Sequence, residues 1–175
     1  MASNLYDASI LQDFTVWIRE VGKIGECPNF QPPEIKLAME DYRGGGMDGT
    51  VEIAHGIEKI EFEFDMFTWD PQIWEEMGYG PGAMNCFIDF RGYLLSPGGE
   101  EKGVMIQTTS QIKSIKTGKV EPGKKTEVTV GISCHKYAHT IGGKTVMSID
   151  VFRKKYVVNG NDRFSRARDF LGFSY

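Results

Sequence analysis

Gly44, Gly46 and Gly49 satisfy the spacing G-x-G-x-x-G within Asp41-Tyr42-Arg43-Gly44-Gly45-Gly46-Met47-Asp48-Gly49. Such glycines cradle a dinucleotide pyrophosphate when the turn opens a helix whose N-terminus faces the phosphates. Here the turn leads into Thr50-Val51-Glu52-Ile53-Ala54 and then Ile60–Met66, which alternates apolar and acidic residues. That period of two belongs to strands. The glycines therefore read as the flexible tip of a β-excursion, a feature of shape and assembly. A second pattern, Gly143-Lys144-Thr145, follows Ala138 at the spacing of a relaxed Walker A loop. A phosphate-cradling loop also needs a following helix, whereas Val146 to Phe152 alternates like a strand. Gly142-Gly143 reads instead as a two-residue hairpin turn.

His135 and His139 flank Tyr137 beside Cys134. On a helix they would share a face and one zinc ion. On a strand they stand about 13 Å apart, too far for both to reach one ion at about 2 Å. They read as exposed strand histidines, and His55 as a loop residue with no evident partner. Glu61, Glu63 and Asp65 line one strand face. Acid–base work by paired carboxylates needs unlike environments, and these three read as alike and solvated. No serine has a G-x-S-x-G setting. The sequence thus offers no active site, no cofactor site and no metal site. Cys27, Cys86 and Cys134 are widely spaced, with no C-x-x-C. They read as small buried hydrophobes of a reducing compartment, although an odd count also allows bridges between copies. Two basic runs remain: Lys113, Lys116, Lys119, Lys124 and Lys125, and Arg153, Lys154, Lys155, Arg163, Arg166 and Arg168. They read either as solvated faces or as a surface complementary to an acidic patch on a neighbouring copy.

These residues must be positioned by a mainly β chain. Phe14–Ile18 and Ile35–Met39 alternate as strands on either side of a turn-rich break at Pro28–Pro33. Ile60, Phe62, Phe64 and Met66 form the apolar face of a third. Asp70 to Gly78 has the signature of a short helix: Asp70 at the N-cap, Pro71 at the first position, Gly78 at the end. Ile73, Trp74 and Met77 are its expected buried stripe. Asn85–Ser96, Val104–Lys116, Thr126–Thr140 and Lys144–Val158 follow as long strands. After Asn159-Gly160-Asn161, Asp162 is expected to cap a helix over 163–171 that buries Phe164, Ala167, Phe170 and Leu171. The expected fold is an antiparallel β-sandwich or barrel of seven or eight strands, with one short inserted helix and a C-terminal helix.

The 175 residues suit one domain, 1–175, with 41–56 as a Gly-rich extended loop within it. Net charge is −4 and the pI about 5.4, which argues against tight grip on nucleic acid. No apolar run nears the roughly 20 residues of a membrane span. The first residues show no secretory pattern, so a cytoplasmic site of synthesis and assembly is expected.

Two segments carry a family resemblance. Tyr42-Arg43-Gly44-Gly45-Gly46-Met47 resembles the signature loop of the major tail tube proteins of contractile-tailed bacteriophages. Val157-Val158-Asn159-Gly160-Asn161-Asp162-Arg163, with Arg166-Ala167-Arg168 and Leu171-Gly172, resembles that family's C-terminal ending. Tube proteins of R-type bacteriocins share the pattern. The resemblance implies a structural virion protein without catalysis or cofactor. Its hexameric rings stack into the inner tube of the tail. The implied partners are further copies of itself, the sheath, the tape-measure protein, the baseplate and the tail terminator, with DNA passing through the lumen. On that basis Tyr42, Arg43, Gly44, Gly45, Gly46, Met47, Asp48 and Gly49 are expected at an inter-ring contact. Glu61, Glu63 and Asp65 are expected to line the lumen, with Asp89 and Glu127 as second candidates, and to repel DNA phosphates. Asp162, Arg163, Arg166 and Arg168 are expected at a C-terminal subunit contact. A nucleotide-binding enzyme, a monomeric β-barrel binding module and a secretion-particle tube are the competing readings.

Overall fold

The computed structural model describes residues 8–173. Its twelve strands are β1 (Ile10–Ile18), β2 (Val21–Gly22), β3 (Asn29–Gln31), β4 (Leu37–Tyr42), β5 (Val51–Ile57), β6 (Ile60–Met66), β7 (Cys86–Leu95), β8 (Glu101–Thr117), β9 (Val128–Ile141), β10 (Lys144–Asp150), β11 (Lys155–Val158) and β12 (Asn161–Asp162). Two helices, α1 (Pro71–Glu76) and α2 (Ser165–Phe170), complete it. Eight strands have six residues or more, as the alternation predicts; the other four are too short to carry a periodic signal.

All the pairings are antiparallel. One large sheet runs β12-β11-β10-β9-β8-β7-β1-β2, and β9 also pairs with β6, which pairs with β3. β9 shares one edge between two partners: its first half lies against β6 and its second against β10. The join is a bulge at His135, where Thr109 and Ser110 of β8 face Lys136 and Cys134. A bulge bends and twists its strand, which lets the sheet curl over itself. The core lies inside the curl. Ile60, Phe62, Phe64 and Met66 of β6 are buried, with Val16 and Ile18 of β1 and Ile88 and Phe90 of β7. Each such side chain contributes about 1.5–3 kcal/mol by leaving water. Phe30 of β3 packs on Phe90 of β7 with ring centroids 4.6 Å apart and on Phe62 at 5.5 Å. The Pro28–Pro33 segment is therefore more than a break: three of its residues form a strand that brings the β6 side of the sheet onto β7.

Three other expectations change. The return strand from Lys144 is interrupted at 151–154, where the Asp150 carboxylate accepts the Arg153 N–H at 3.0 Å and Lys154 turns through a φ of 47°. Aspartate nucleates such turns by mimicking the backbone. Helix α1 starts as predicted, with Asp70 accepting the Gln72 N–H at 2.9 Å. Of its stripe only Ile73 is buried; Trp74 and Met77 are exposed, because fewer than two helical turns present only one position inward. Asp162 does not cap α2. It ends β12, accepts the Phe164 N–H at 3.0 Å and pairs with Arg168, while Phe164 holds the N-cap position without a side-chain cap. The inward side of α2 is Ala167 and Arg168, both half-buried, so Phe170 and Leu171 stand in solvent.

Candidate assembly surfaces

The β4–β5 hairpin forms a sheet of its own, joined to no other strand among the described residues. Within the span 41–56, Asp41–Tyr42 and Val51–Gly56 are paired strand, so the loop proper is 43–50. Leu37, Met39, Tyr42, Val51 and Ile53 are 44–53% exposed. Asp41 stands directly opposite Glu52 in the register, an arrangement that like charges disfavour. Four carboxylates (Glu40, Asp41, Asp48 and Glu52) face one guanidinium, Arg43, over residues 37–57.

The tip is a defined turn. Met47 N–H donates to the Gly44 carbonyl at 3.3 Å, and Gly46 has a φ of 82°. A positive φ at the third position is what a type II turn demands, and glycine supplies it. At Gly44 a Cβ would lie 2.9 Å from the Tyr42 hydroxyl, the outer end of an exposed side chain, so a larger residue there would make the ring swing aside. Met47 folds back so that its sulfur accepts the Gly44 N–H at 3.1 Å. Of the predicted tip residues, Tyr42, Arg43, Gly45, Gly46, Asp48 and Gly49 are exposed, while Gly44 and Met47 are half-buried.

Glu61, Glu63 and Asp65 do share the outer face of β6, but their environments differ. Glu61 lies 3.1 Å from both Lys59 and Lys113. Hydrogen bonding to Lys113 and then Lys59 holds its carboxyl below the usual range. Asp65 accepts Thr129 Oγ1 at 2.6 Å and Asn29 Nδ2 at 2.7 Å. Glu63 is exposed. The face is thus mixed rather than uniformly acidic, because Lys113 of β8 reaches across Gly131 of β9. Among the second candidates, Asp89 lies 3.6 Å from Arg91.

The C-terminal residues divide in two. Arg168 pairs with Asp162 and donates to the Lys154 carbonyl at 3.0 Å. Its hydrogen bond holds the Asp162 carboxyl below its usual range. This latch seats α2 on the 151–154 turn, while Arg163 and Arg166 point to solvent. Beside the latch is a cleft of about 400 Å³ between the base of the β4–β5 hairpin and the turn. Ile149, Val151, Tyr156 and Phe164 line it, and Lys154, Lys155 and Arg163 rim it. Sequence reading missed the cleft, since its walls lie about 100 residues apart. It also missed an exposed aromatic group around α1, namely Trp69, Trp74, Tyr79 and Phe87. The flanking glycines Gly78, Gly80 and Gly82 were the available signal for a loop held out from the core.

The nucleotide patterns lack their helices: Gly49 precedes β5, and Gly143 is the turn between β9 and β10. Gly142 and Gly143 both have positive φ, 56° and 77°, as a type I′ turn requires. Among the described residues no group of three or more His, Cys, Asp or Glu could hold a metal ion. His135 is buried rather than exposed, with its ring 4.8 Å from that of Phe152 and Nδ1 unpartnered. Cys27, Cys86 and Cys134 are free thiols, each pushed up to about 12 chiefly by burial. Among the described residues no helix is long and apolar enough to cross a membrane.

The family described as phage tail tube protein FII matches residues 8–172. The tail tube protein of Escherichia phage P2 is 30% identical over 145 residues, covering 80% of this chain and 83% of that protein. The major tail tube protein of Serratia phage KSP20 is 26% identical over 156 residues, covering 88% and 90%. Among solved structures, a chain of the PVC sheath–tube complex, an extracellular contractile injection system in the extended state, has a TM-score of 0.56. It is 10% identical, with 73% of this chain and 87% of that chain covered. At that identity the likeness is one of fold.

Proposed function

The chain belongs to the phage tail tube protein FII family and is a structural tail tube protein, and on that premise we propose how it builds the tube. Copies close into hexameric rings, and the rings stack head to tail inside a contractile sheath. The match over nearly all described residues carries this reading, and the unpartnered β4–β5 hairpin supports it. An apolar hairpin left alone is marginal in water; between stacked rings both its faces are covered. Sixfold closure and stacking are heterologous, each joining two different patches of one chain. The tube's role is mechanical, with no catalytic step.

The outer face of β6 faces the lumen. Glu63 and Asp65, with Glu61 partly offset by its two lysines, give a surface on which DNA slides without adhering. The tape-measure protein, baseplate and terminator bound the tube at its ends and interior. The protein is a component of the virion, assembled in the host cytoplasm before the tail is complete.

Negative-stain electron microscopy of the purified protein across a concentration series tests the assembly. Rings or long hollow tubes with a central channel are expected. A protein that stays monomeric at every concentration, with or without tail baseplates as nuclei, overturns the reading in favour of a monomeric β-barrel binding module.

A further inference from the structure

The geometry points to the cleft beside α2 as the receptor for the β4–β5 hairpin of a neighbouring copy. This rests on the tube reading and names the contact that would propagate it. The hairpin presents apolar side chains on both faces and an excess of carboxylate, with Asp41 and Glu52 facing each other across the strands. No ion pair within the described residues relieves that pair. The surface that fits it is apolar within and cationic at the rim. The cleft has that character: Val151, Tyr156 and Phe164 line it with Lys154, Lys155 and Arg163, and its one carboxylate, Asp150, is already engaged by Lys136 at 3.6 Å and by the Arg153 N–H at 3.0 Å. Neither Lys155 nor Arg163 is within ion-pair distance of a carboxylate among the described residues, although the charge of Lys155 is felt at Asp162, which Arg168 holds directly. At about 400 Å³ the cleft lies at the small end of the range for pockets that bury a ligand, room for a few side chains of the tip.

The other basic run fits less well. Lys119 and Lys124 are both held by Glu121, and Lys125 lies over the Phe67 ring.

The occupant must come from another copy. Leu37, Ala54 and Ile57 at the hairpin's own base form one wall of the cleft. Six paired residues at about 3.4 Å each put the tip roughly 20 Å from that base. A hairpin cannot reach the cleft at its own root, but it can reach the same cleft on the next copy. Tyr42 and Val51 then meet the apolar interior, and Asp41 and Glu52 meet Lys155 and Arg163. Finger and cleft are different patches, so the contact does not close on itself and repeats along an axis.

Charge reversal tests it. Asp41→Lys with Glu52→Lys reverses the finger; Lys155→Glu with Arg163→Glu reverses the cleft. All four positions are exposed, and thermal melts of dilute protein check that each variant folds. Each pair alone is expected to raise the critical concentration for tubes by about tenfold or more, and the four substitutions together to restore tubes toward the wild-type value. Wild-type tubes that persist with either pair, or that the four-fold variant fails to regain, overturn the finger-in-cleft contact and leave the tube reading intact. Failure of the wild-type protein to form tubes overturns the tube reading itself. A second measurement guards against misfolded variants. Tyr42→Cys protein mixed with Phe164→Cys protein under mild oxidation is expected to give disulfide-linked dimers, absent when either is oxidised alone. No mixed dimer from assembled wild-type-like tubes overturns the proposal.

Discussion

Removing one charge from the Lys23–Asp70 pair should unlatch α1 from the body of the protein. Three polar ties hold this helix to the β1–β2 turn: Lys23 to Asp70, Arg19 to Glu76, and Gln72 Nε2 to the Ile18 carbonyl at 3.3 Å. Only Ile73 adds buried apolar surface. The Lys23 side chain is 6% exposed and that of Asp70 13%, so neither charge is solvated by bulk water. Breaking such a pair by deleting one partner costs about 3–5 kcal/mol, because the other is left buried and unpaired. Asp70 keeps its cap bond to Gln72, worth about 1 kcal/mol, so the lower end, about 3 kcal/mol, is expected for Lys23→Met. At about 2–4 °C per kcal/mol for a domain of this size, the melting temperature should fall by roughly 6–12 °C. Adding Asp70→Asn removes the stranded charge and keeps a capping side chain. The double variant should recover to within about 1 kcal/mol of wild type. Thermal melts by circular dichroism, with tryptophan emission from Trp69 and Trp74 as a local probe, read both effects. A single variant within about 2 °C of wild type, or a double variant no more stable than the single, refutes the reasoning.

Gly131→Ala would put a Cβ 2.3 Å from Ser114 Oγ on the paired strand. A loss of about 1–3 kcal/mol is expected, with much of it recovered in a Ser114→Ala background; denaturant titration of both variants checks this. His135 and His139 both have pKa values lowered chiefly by burial, Lys136 adding to the effect at His135 and Asp150 opposing it. The folded state therefore binds fewer protons than the unfolded chain. The associated stability is complete above about pH 6.5 and is lost as pH falls from there through the lowered folded values. Melting temperature should drop between pH 7 and pH 5, and His135→Phe, which removes an unpartnered buried nitrogen, should flatten that drop without loss at pH 7. With thiols at about 12, the folded protein should react slowly with a thiol reagent at pH 8 and reveal three equivalents on unfolding. Fast labelling of Cys86 or Cys134 would contradict their burial.

Where a strand has one face in the core and the other in water, the sequence determined the outcome by itself. Ile60–Met66 is the clearest case, because a period of two admits only one assignment of faces. Gly142-Gly143 and Asp70-Pro71 were equally legible, since a type I′ turn and a helix start are set by φ preferences and one capping bond. The family, too, was legible in the Tyr42–Met47 loop and the Val157–Arg163 ending. Tertiary structure alone decided which charges are spent within the chain. Asp162 read as a helix cap and, with Arg168, as part of a subunit contact until the fold placed one against the other, and Lys113 offsets Glu61 only because β8 lies beside β9. It also decided that Trp74 and Phe170 stay exposed, since a stripe on a helix is buried only if a surface remains to receive it. β3 escaped notice because three residues hold no period; its partner strand and the rings of Phe62 and Phe90 make it a strand. The cleft beside α2 joins residues 37–57 to residues 149–164, and no local pattern encodes a juxtaposition made by chain folding.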